Sequence, residues 1–217
     1  MHWFRDICMI LSLLFSLRLI KNPRVIKYMR YFYWYSIVGA AMTFLTLISN
    51  TQGIPLKELV MGIRNYSILF HFTFLSFFIY SVLPRKEDVK FLFPLFFTFL
   101  SITLFFLVFY SSKKMNSASF SAANLGLIIF CVIYFYRLFN EVPKTTLLKQ
   151  PAFWVISGIF LCMSISIPVI SLDSYLKNEN YVNLQYREIF SGIIYFAYGS
   201  FHLFLIKAYL CSIGETV

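Results

Sequence analysis

The amino-acid sequence predicts an all-α membrane protein, a polytopic bundle of about seven transmembrane helices. Its 217 residues are 59% hydrophobic and 13% charged, whereas soluble domains are about 45–50% apolar and about 25% charged. The mean hydropathy of +0.74 indicates more apolar surface than one soluble core can bury. The apolar residues form seven continuous runs, without the alternation of membrane β-barrel strands. We therefore expect a single transmembrane domain over residues 1–217, embedded in a lipid bilayer.

Each apolar run has about the 20 residues that a helix needs to cross a bilayer. Charged and turn-forming residues separate the runs, and five of the seven prolines lie in or beside these breaks, where proline costs a helix least. The predicted spans cover residues 3–20, 28–48, 63–83, 90–111, 119–139, 151–172 and 188–211.

The first run leaves two interpretations open. Arg5 and Asp6 lie near its start and Arg18 near its end, so it is either a span with snorkelling ends or an interfacial amphipathic helix. The start of the second run is rich in aromatic residues that are typical of a membrane-interface belt. These belt residues are Tyr28, Tyr31, Tyr33, Trp34 and Tyr35.

The distribution of basic residues predicts the orientation. With seven spans and the N-terminus outside, twelve of the 19 basic residues fall on the inner side and seven on the outer side, as expected from the excess of Lys and Arg in cytoplasmic segments. We therefore expect an outer N-terminus and a cytoplasmic C-terminus in a bacterial inner membrane. The inner residues are Arg18, Lys21, Arg24, Lys27, Arg30, Arg85, Lys86, Lys90, Arg137, Lys144, Lys149 and Lys207.

The stretch RLIKNPRVIKYMR, between the first two runs, has a basic residue at every third position. Pro23 prevents it from forming one continuous basic helix face. We interpret it as a topological anchor that contacts anionic lipid headgroups, and secondly as a docking site for a cytoplasmic protein. Zinc-ligand spacing, an RNA-binding aromatic signature and a basic zipper are all missing, so nucleic acid is not an expected partner. The basic residues are Arg18, Lys21, Arg24, Lys27 and Arg30.

Catalytic and metal-binding patterns are missing from the sequence. The four cysteines lie in apolar runs without a CxxC pair, which favours buried free thiols over a metal site. None of the predicted spans has a carboxylate at its centre, so we expect no enzyme activity and no cofactor. Counted from the outer ends of their runs, His71 lies about 10 Å deep and His202 about 20 Å deep. These depths argue against a shared metal site.

Polar side chains concentrate in the outer halves of several predicted spans. One interpretation is an outward-facing pocket for a small molecule; the other is that these groups only satisfy contacts between helices. The candidate pocket residues are Arg64, Asn65, Tyr66, His71, Asn124, Ser164, Ser166, Tyr195, Tyr198 and His202.

The segment EVPKTTLLKQPAFWVISGIFL reads as a short linker, a Pro-x-aromatic-Trp start and a glycine-containing helix. With the helix NYSILFHFTFLSFF and the seven-run layout, it resembles a group of small Bacteroidota seven-helix membrane proteins that stand alone or precede a histidine kinase module. The resemblance implies a membrane sensor, or the membrane partner of a signalling protein. Kinase motifs are missing from these 217 residues, so a catalytic output is not expected.

Two function classes follow, with a membrane enzyme as a third and weaker one. The first is a membrane sensor or accessory signalling protein that binds a small ligand or lipid from the outer side and signals to a cytoplasmic partner. The second is a channel, a transporter or a membrane-disrupting effector, for example in host defence. Self-association into a homo-oligomer is compatible with both classes.

Overall fold

The computed structural model describes residues 2–20, 27–51, 54–83, 86–109, 116–140, 146–178 and 184–214. These residues form seven α-helices and two short 3₁₀ helices, Lys27–Arg30 and Leu147–Lys149. The α-helices are α1 (His2–Ile20), α2 (Tyr31–Thr51), α3 (Ile54–Val82), α4 (Lys86–Phe109), α5 (Ser117–Asn140), α6 (Pro151–Asn178) and α7 (Leu184–Gly214). The prediction of an all-helical fold is confirmed.

Five of the helices are long and apolar enough to cross a membrane, among the residues that could be assessed. They contain the segments Gly62–Val82, Lys90–Phe109, Ser117–Asn140, Pro151–Leu172 and Glu188–Ser212. The chain is therefore a membrane protein whose apolar helices contact the lipid bilayer. The number of seven spans and the orientation of the termini stay predictions.

Helix α1 packs along the bundle beside α2 and α7. The ring of Phe4 stacks on that of Phe196 at 5.8 Å, and further along both helices the hydroxyl of Ser12 meets His202. Because these contacts advance in the same direction along the two helices, α1 and α7 run parallel. Whether α1 crosses the membrane or lies at its surface stays a prediction.

The buried core lies between α2, α3, α5, α6 and α7. Its largest fully buried side chains are aromatic and aliphatic, including Phe72, Phe130, Phe201 and Tyr209. Helix α4 is peripheral, since it packs on α3 and α5 and exposes large side chains such as Phe91 along most of its length. Exposed apolar groups of this kind are stable in contact with lipid but would be costly in water.

The basic stretch between the first two helices is described only in part. Lys21 and Arg24 lie outside the described residues, and the side chains of Arg18 and Lys27 are not described either. Arg30 ends the short 3₁₀ helix that leads into α2 and is half-buried. Lipid contact and protein docking by this stretch therefore stay predictions.

Candidate ligand-binding site

A cavity of about 450 Å³ lies between six of the seven described α-helices. It occupies the half of the bundle that holds the N-terminal turns of α1, and it reaches the middle of α7 at Tyr198 and His202. The residues that line it are Arg5, Asp6, Met9, Tyr35, Val38, Gly39, Met42, Thr43, Arg64, Ser67, Ile68, Phe70, His71, Phe120, Asn124, Met163, Tyr195, Tyr198 and His202. Its size and its mixture of apolar walls with a few polar groups are typical of small-molecule sites.

Six of the ten side chains singled out from the sequence meet in this cavity. The six come from α3, α5 and α7, and they meet because the halves of these helices that the sequence predicts to be outer face one another. They are Arg64, His71, Asn124, Tyr195, Tyr198 and His202.

The other four candidates do not line the cavity. Asn65 is buried, and its side-chain oxygen accepts a hydrogen bond from the backbone N–H of Asn116 at 3.2 Å. Tyr66 is 58% exposed and points away from the bundle interior. Ser166 donates to the carbonyl oxygen of Cys162 at 2.7 Å within its own helix, and Ser164 is half-buried elsewhere on α6. Asn65 and Ser166 thus satisfy backbone groups, and Tyr66 and Ser164 are on other faces of their helices.

Both histidines line this cavity, although the sequence predicted different depths for them. The depth was counted from Arg64 in α3 and from Glu188 in α7. Those residues are poor markers of depth because α3 begins ten residues before Arg64 whereas α7 begins four residues before Glu188. The described residues contain no group of three or more His, Cys, Asp or Glu that could hold a metal ion.

Each histidine ring is held by one hydroxyl group from another helix. The hydroxyl of Tyr35 lies 2.8 Å from Nδ1 of His71. The hydroxyl of Ser12 lies 2.9 Å from Nδ1 of His202 and can also donate its hydrogen to the carbonyl oxygen of Met9. Which of the two atoms, Oγ of Ser12 or Nδ1 of His202, donates the hydrogen depends on the tautomer of the ring.

Helix α1 supplies charged groups that sequence reasoning did not place in the pocket. Two nitrogens of the Arg5 guanidinium donate to one oxygen of Asp6, at 2.6 and 2.8 Å. The same guanidinium lies 4.7 Å from the ring centroid of Tyr195, a distance suited to a cation–π interaction. The sequence feature that could have indicated this role is the occurrence of two charged residues, Arg5 and Asp6, near the start of an apolar run.

Arg64 carries the second cationic group of the cavity. It is exposed at the rim, and the one ion pair between described residues is that of Arg5 with Asp6. Its guanidinium therefore has no carboxylate partner among the described residues. A free guanidinium beside a cavity can bind a carboxylate or phosphate group with two parallel hydrogen bonds.

Asn124 is the most deeply buried polar side chain of the cavity wall. It is 1% exposed, and its Nδ2 has no hydrogen-bond partner among the described residues. A buried donor without a partner costs about 1–3 kcal/mol. Asn124 lines the cavity, but the exposed area of Nδ2 itself is below 1 Å², so a ligand atom could accept a hydrogen bond from this nitrogen only after the amide rotates about its last side-chain torsion.

The bond between Tyr35 and His71 yields a stability prediction. We expect His71→Leu to destabilise the protein by about 1 kcal/mol, because it leaves the buried hydroxyl of Tyr35 unpaired. Adding Tyr35→Phe should recover much of this loss, so a double-mutant cycle should give a coupling energy of about 1 kcal/mol. The cycle is measured by denaturation of the purified variants in mixed micelles.

Tyr66→Phe provides the matched control for that cycle. Its hydroxyl is exposed, and surface substitutions of this kind change stability by at most about 0.5 kcal/mol. Purely additive effects of the two substitutions in the cycle would show that the bond between Tyr35 and His71 does not contribute.

Comparison of the chain with protein-family models, with curated proteins and with solved structures finds no match.

Proposed function

We propose that this chain is a seven-span protein of a bacterial inner membrane that binds a small ligand from the outer side and signals to a cytoplasmic partner. The observation that carries the proposal is the cavity beside Arg64 and Asn124, because the guanidinium of Arg64 has no carboxylate partner and Nδ2 of Asn124 no hydrogen-bond partner among the described residues. The charge bias of the sequence favours an outer position for this half of the bundle.

Helix α1 is the element that we propose to respond to the ligand. It covers the cavity with Arg5, Asp6 and Met9, and it is attached to α7 through Phe4 and Ser12. A ligand that contacts both α1 and α7 would bind more tightly to one of two arrangements of α1. Its binding would therefore increase the population of that arrangement. The basic stretch that follows α1 would carry the shift to the inner surface.

Co-purification tests the binding step. We expect protein purified from its native membrane to retain a small molecule that mass spectrometry of the extract identifies. The Gly39→Leu variant should lose most of this molecule, because Gly39 lines the cavity and a leucine side chain would fill part of it. The added Cβ itself would make only an ordinary contact, at 3.7 Å from Sδ of Met9, so the backbone need not move. Gly62→Leu is the matched control, since no atom lies within 4 Å of its added Cβ.

Two results would contradict the binding proposal. One is wild-type protein without any retained molecule, combined with a screen of small molecules in which none raises the melting temperature. The other is equal retention by the Gly39→Leu and Gly62→Leu variants, which would locate the molecule outside this cavity.

The signalling step has its own test. A cytosolic protein that is cross-linked to the chain in cells should be lost when Arg24 and Lys27 are both replaced by Glu. Retention of that protein after the charge reversal would exclude the basic stretch as the docking surface. A fluorescent protein fused after Val217 should fold and fluoresce if the C-terminus is cytoplasmic.

A transporter is the second candidate, and the position of one proline favours it. Pro168 lies inside α6, five residues after Met163, which lines the cavity, and proline is a common cause of bending in a helix. Bending at this point would change how the cavity opens. Accumulation of the co-purifying molecule inside liposomes that contain the protein would establish transport, and binding without accumulation would favour the sensor.

A further inference from the structure

The charges of the cavity are unbalanced. Arg5 and Arg64 are basic, and Asp6 is the one carboxylate among the described lining residues. The carboxylate of Asp6 is already bonded to Arg5, so the pair contributes little net charge. The guanidinium of Arg64 therefore leaves the site with one excess positive charge, which favours an anionic ligand.

The free guanidinium and the unpaired amide lie at different depths. Asn65, next to Arg64 on α3, bonds to Asn116 immediately before α5, so these positions lie at the same level. Asn124 lies eight residues further along α5, a rise of about 12 Å. A ligand that contacts both groups must therefore be elongated, with its acidic group near the rim and a second oxygen deeper in the cavity.

Part of the cavity wall is apolar, and Ile68 and Phe120 place apolar groups between the levels of these two polar groups, because each lies one turn beyond Arg64 or Asn116. Met9, Met42 and Met163 line the cavity together with Ile68, Phe70 and Phe120. Methionine side chains adapt to ligands of different shape and make favourable contacts with aromatic rings. This wall fits an apolar or aromatic body between the two polar ends of the ligand.

We propose that the cavity binds a small amphiphilic anion, with its carboxylate on Arg64, its apolar body on the methionine and phenylalanine wall, and an acceptor oxygen on the amide of Asn124. The proposal rests on the proposed ligand-binding function and specifies the ligand's chemical class. Three independent features support it: the excess charge, the buried donor without a partner and the apolar wall between them. A neutral or cationic ligand would leave the guanidinium of Arg64 without a counter-charge.

A set of matched probes tests the head group. Para-acetylphenylbutyrate has a carboxylate, an aromatic body and a ketone oxygen at its far end. The corresponding alcohol and amine differ only in the charge of the head group. We expect the acid to bind the full-length chain at least about tenfold more tightly than the alcohol, and the amine not to bind, as a charge-assisted hydrogen bond implies. Affinities come from the concentration dependence of the melting temperature in micelles.

Variants assign the two polar contacts. Arg64→Gln should remove the preference for the acid over the alcohol, Arg64→Lys should keep part of it, and Lys149→Gln should leave it unchanged, since Lys149 is exposed in the 3₁₀ helix before α6.

The deeper contact is tested with phenylbutyrate, which lacks the ketone. Wild-type protein should bind it about tenfold more weakly than the acetylated acid. Asn124→Leu should remove this difference while raising the melting temperature of the ligand-free protein.

Several outcomes would overturn the ligand class. One is that the alcohol or the amine binds as tightly as the acid. Another is that the Arg64→Gln variant still prefers the acid to the same extent, and the last is that none of the probes binds. The comparison of head groups in wild-type protein decides the question even where a variant fails to fold. The proposed function is judged separately by co-purification with Gly39→Leu, so a retained neutral molecule would overturn the anion proposal and leave the binding function intact.

Discussion

Replacing Gly158 by Val is expected to destabilise the protein by about 3 kcal/mol, the upper part of the range for overpacked cores. Gly158 lies on α6 where that helix packs against α7. A Cβ at this position would lie 2.7 Å from Cβ of Phe204 and 3.1 Å from the ring of Phe201. Cβ of Phe204 is attached directly to the backbone, so rotation of its side chain cannot relieve the contact. The two helices would have to separate, and small residues at such contacts are what allow membrane helices to approach closely.

Gly62→Val is the matched control for this prediction. Gly62 also lies in a membrane-capable helix, but no atom lies within 4 Å of a Cβ added there. We expect the control to unfold at nearly the same denaturant concentration as the wild-type protein in mixed micelles. Equal effects of the two substitutions would indicate a general cost of valine in these helices and would contradict a close contact between α6 and α7.

The number and type of the helices could be predicted because hydropathy reports directly on transfer into lipid. Where the structure describes them, all seven apolar runs lie in helical segments, apart from Leu83 at the end of the third run. The ends of the helices were less predictable. The run 151–172 lies in a helix that continues to Asn178, and the run 63–83 lies in a helix that begins at Ile54. Backbone hydrogen bonding continues into polar residues, and hydropathy does not report on this continuation.

The site was predicted in part, because composition does not reveal how a helix is rotated about its axis. Tyr35 was assigned to an interfacial belt, yet it is buried, binds His71 and lines the cavity. In the same segment Tyr31 and Trp34 are exposed, whereas Phe32 and Tyr35 are buried. This three-residue spacing is that of one helix face. Assigning residues 31–35 to helix faces by this spacing could therefore have distinguished the exposed belt residues from Tyr35, which lines the cavity.

The candidate residues that do not line the cavity show a second limit. The sequence pattern is the same whether an amide inside a span binds a ligand or satisfies a backbone group. Asn124 has an unpaired donor beside the cavity, whereas Asn65 accepts a bond from the backbone of Asn116. The difference depends on which neighbouring helix end is within reach, and this information appears only after the helices are packed. Asn116 itself lies in a break between runs and was not singled out.

Asn116→Ala is expected to destabilise the protein by about 2 kcal/mol. The side-chain oxygen of Asn116 accepts a hydrogen bond from the backbone N–H of Ser119 at 3.1 Å and so caps the start of α5. Its Nδ2 donates to the carbonyl oxygen of Phe106 at 2.7 Å, in the last turn of α4. Loss of a cap costs about 1 kcal/mol, and loss of a second buried hydrogen bond costs about as much. The bond from the backbone of Asn116 to Asn65 survives the substitution.

A second variant separates the two bonds of Asn116. Serine can cap α5 but is too short to reach Phe106, so Asn116→Ser should lose about half of what Asn116→Ala loses. Asn140→Ala, at the exposed opposite end of α5, should change the free energy of unfolding by less than about 0.5 kcal/mol. Equal losses for the serine and alanine variants would show that capping contributes nothing and that the link to α4 carries the whole effect.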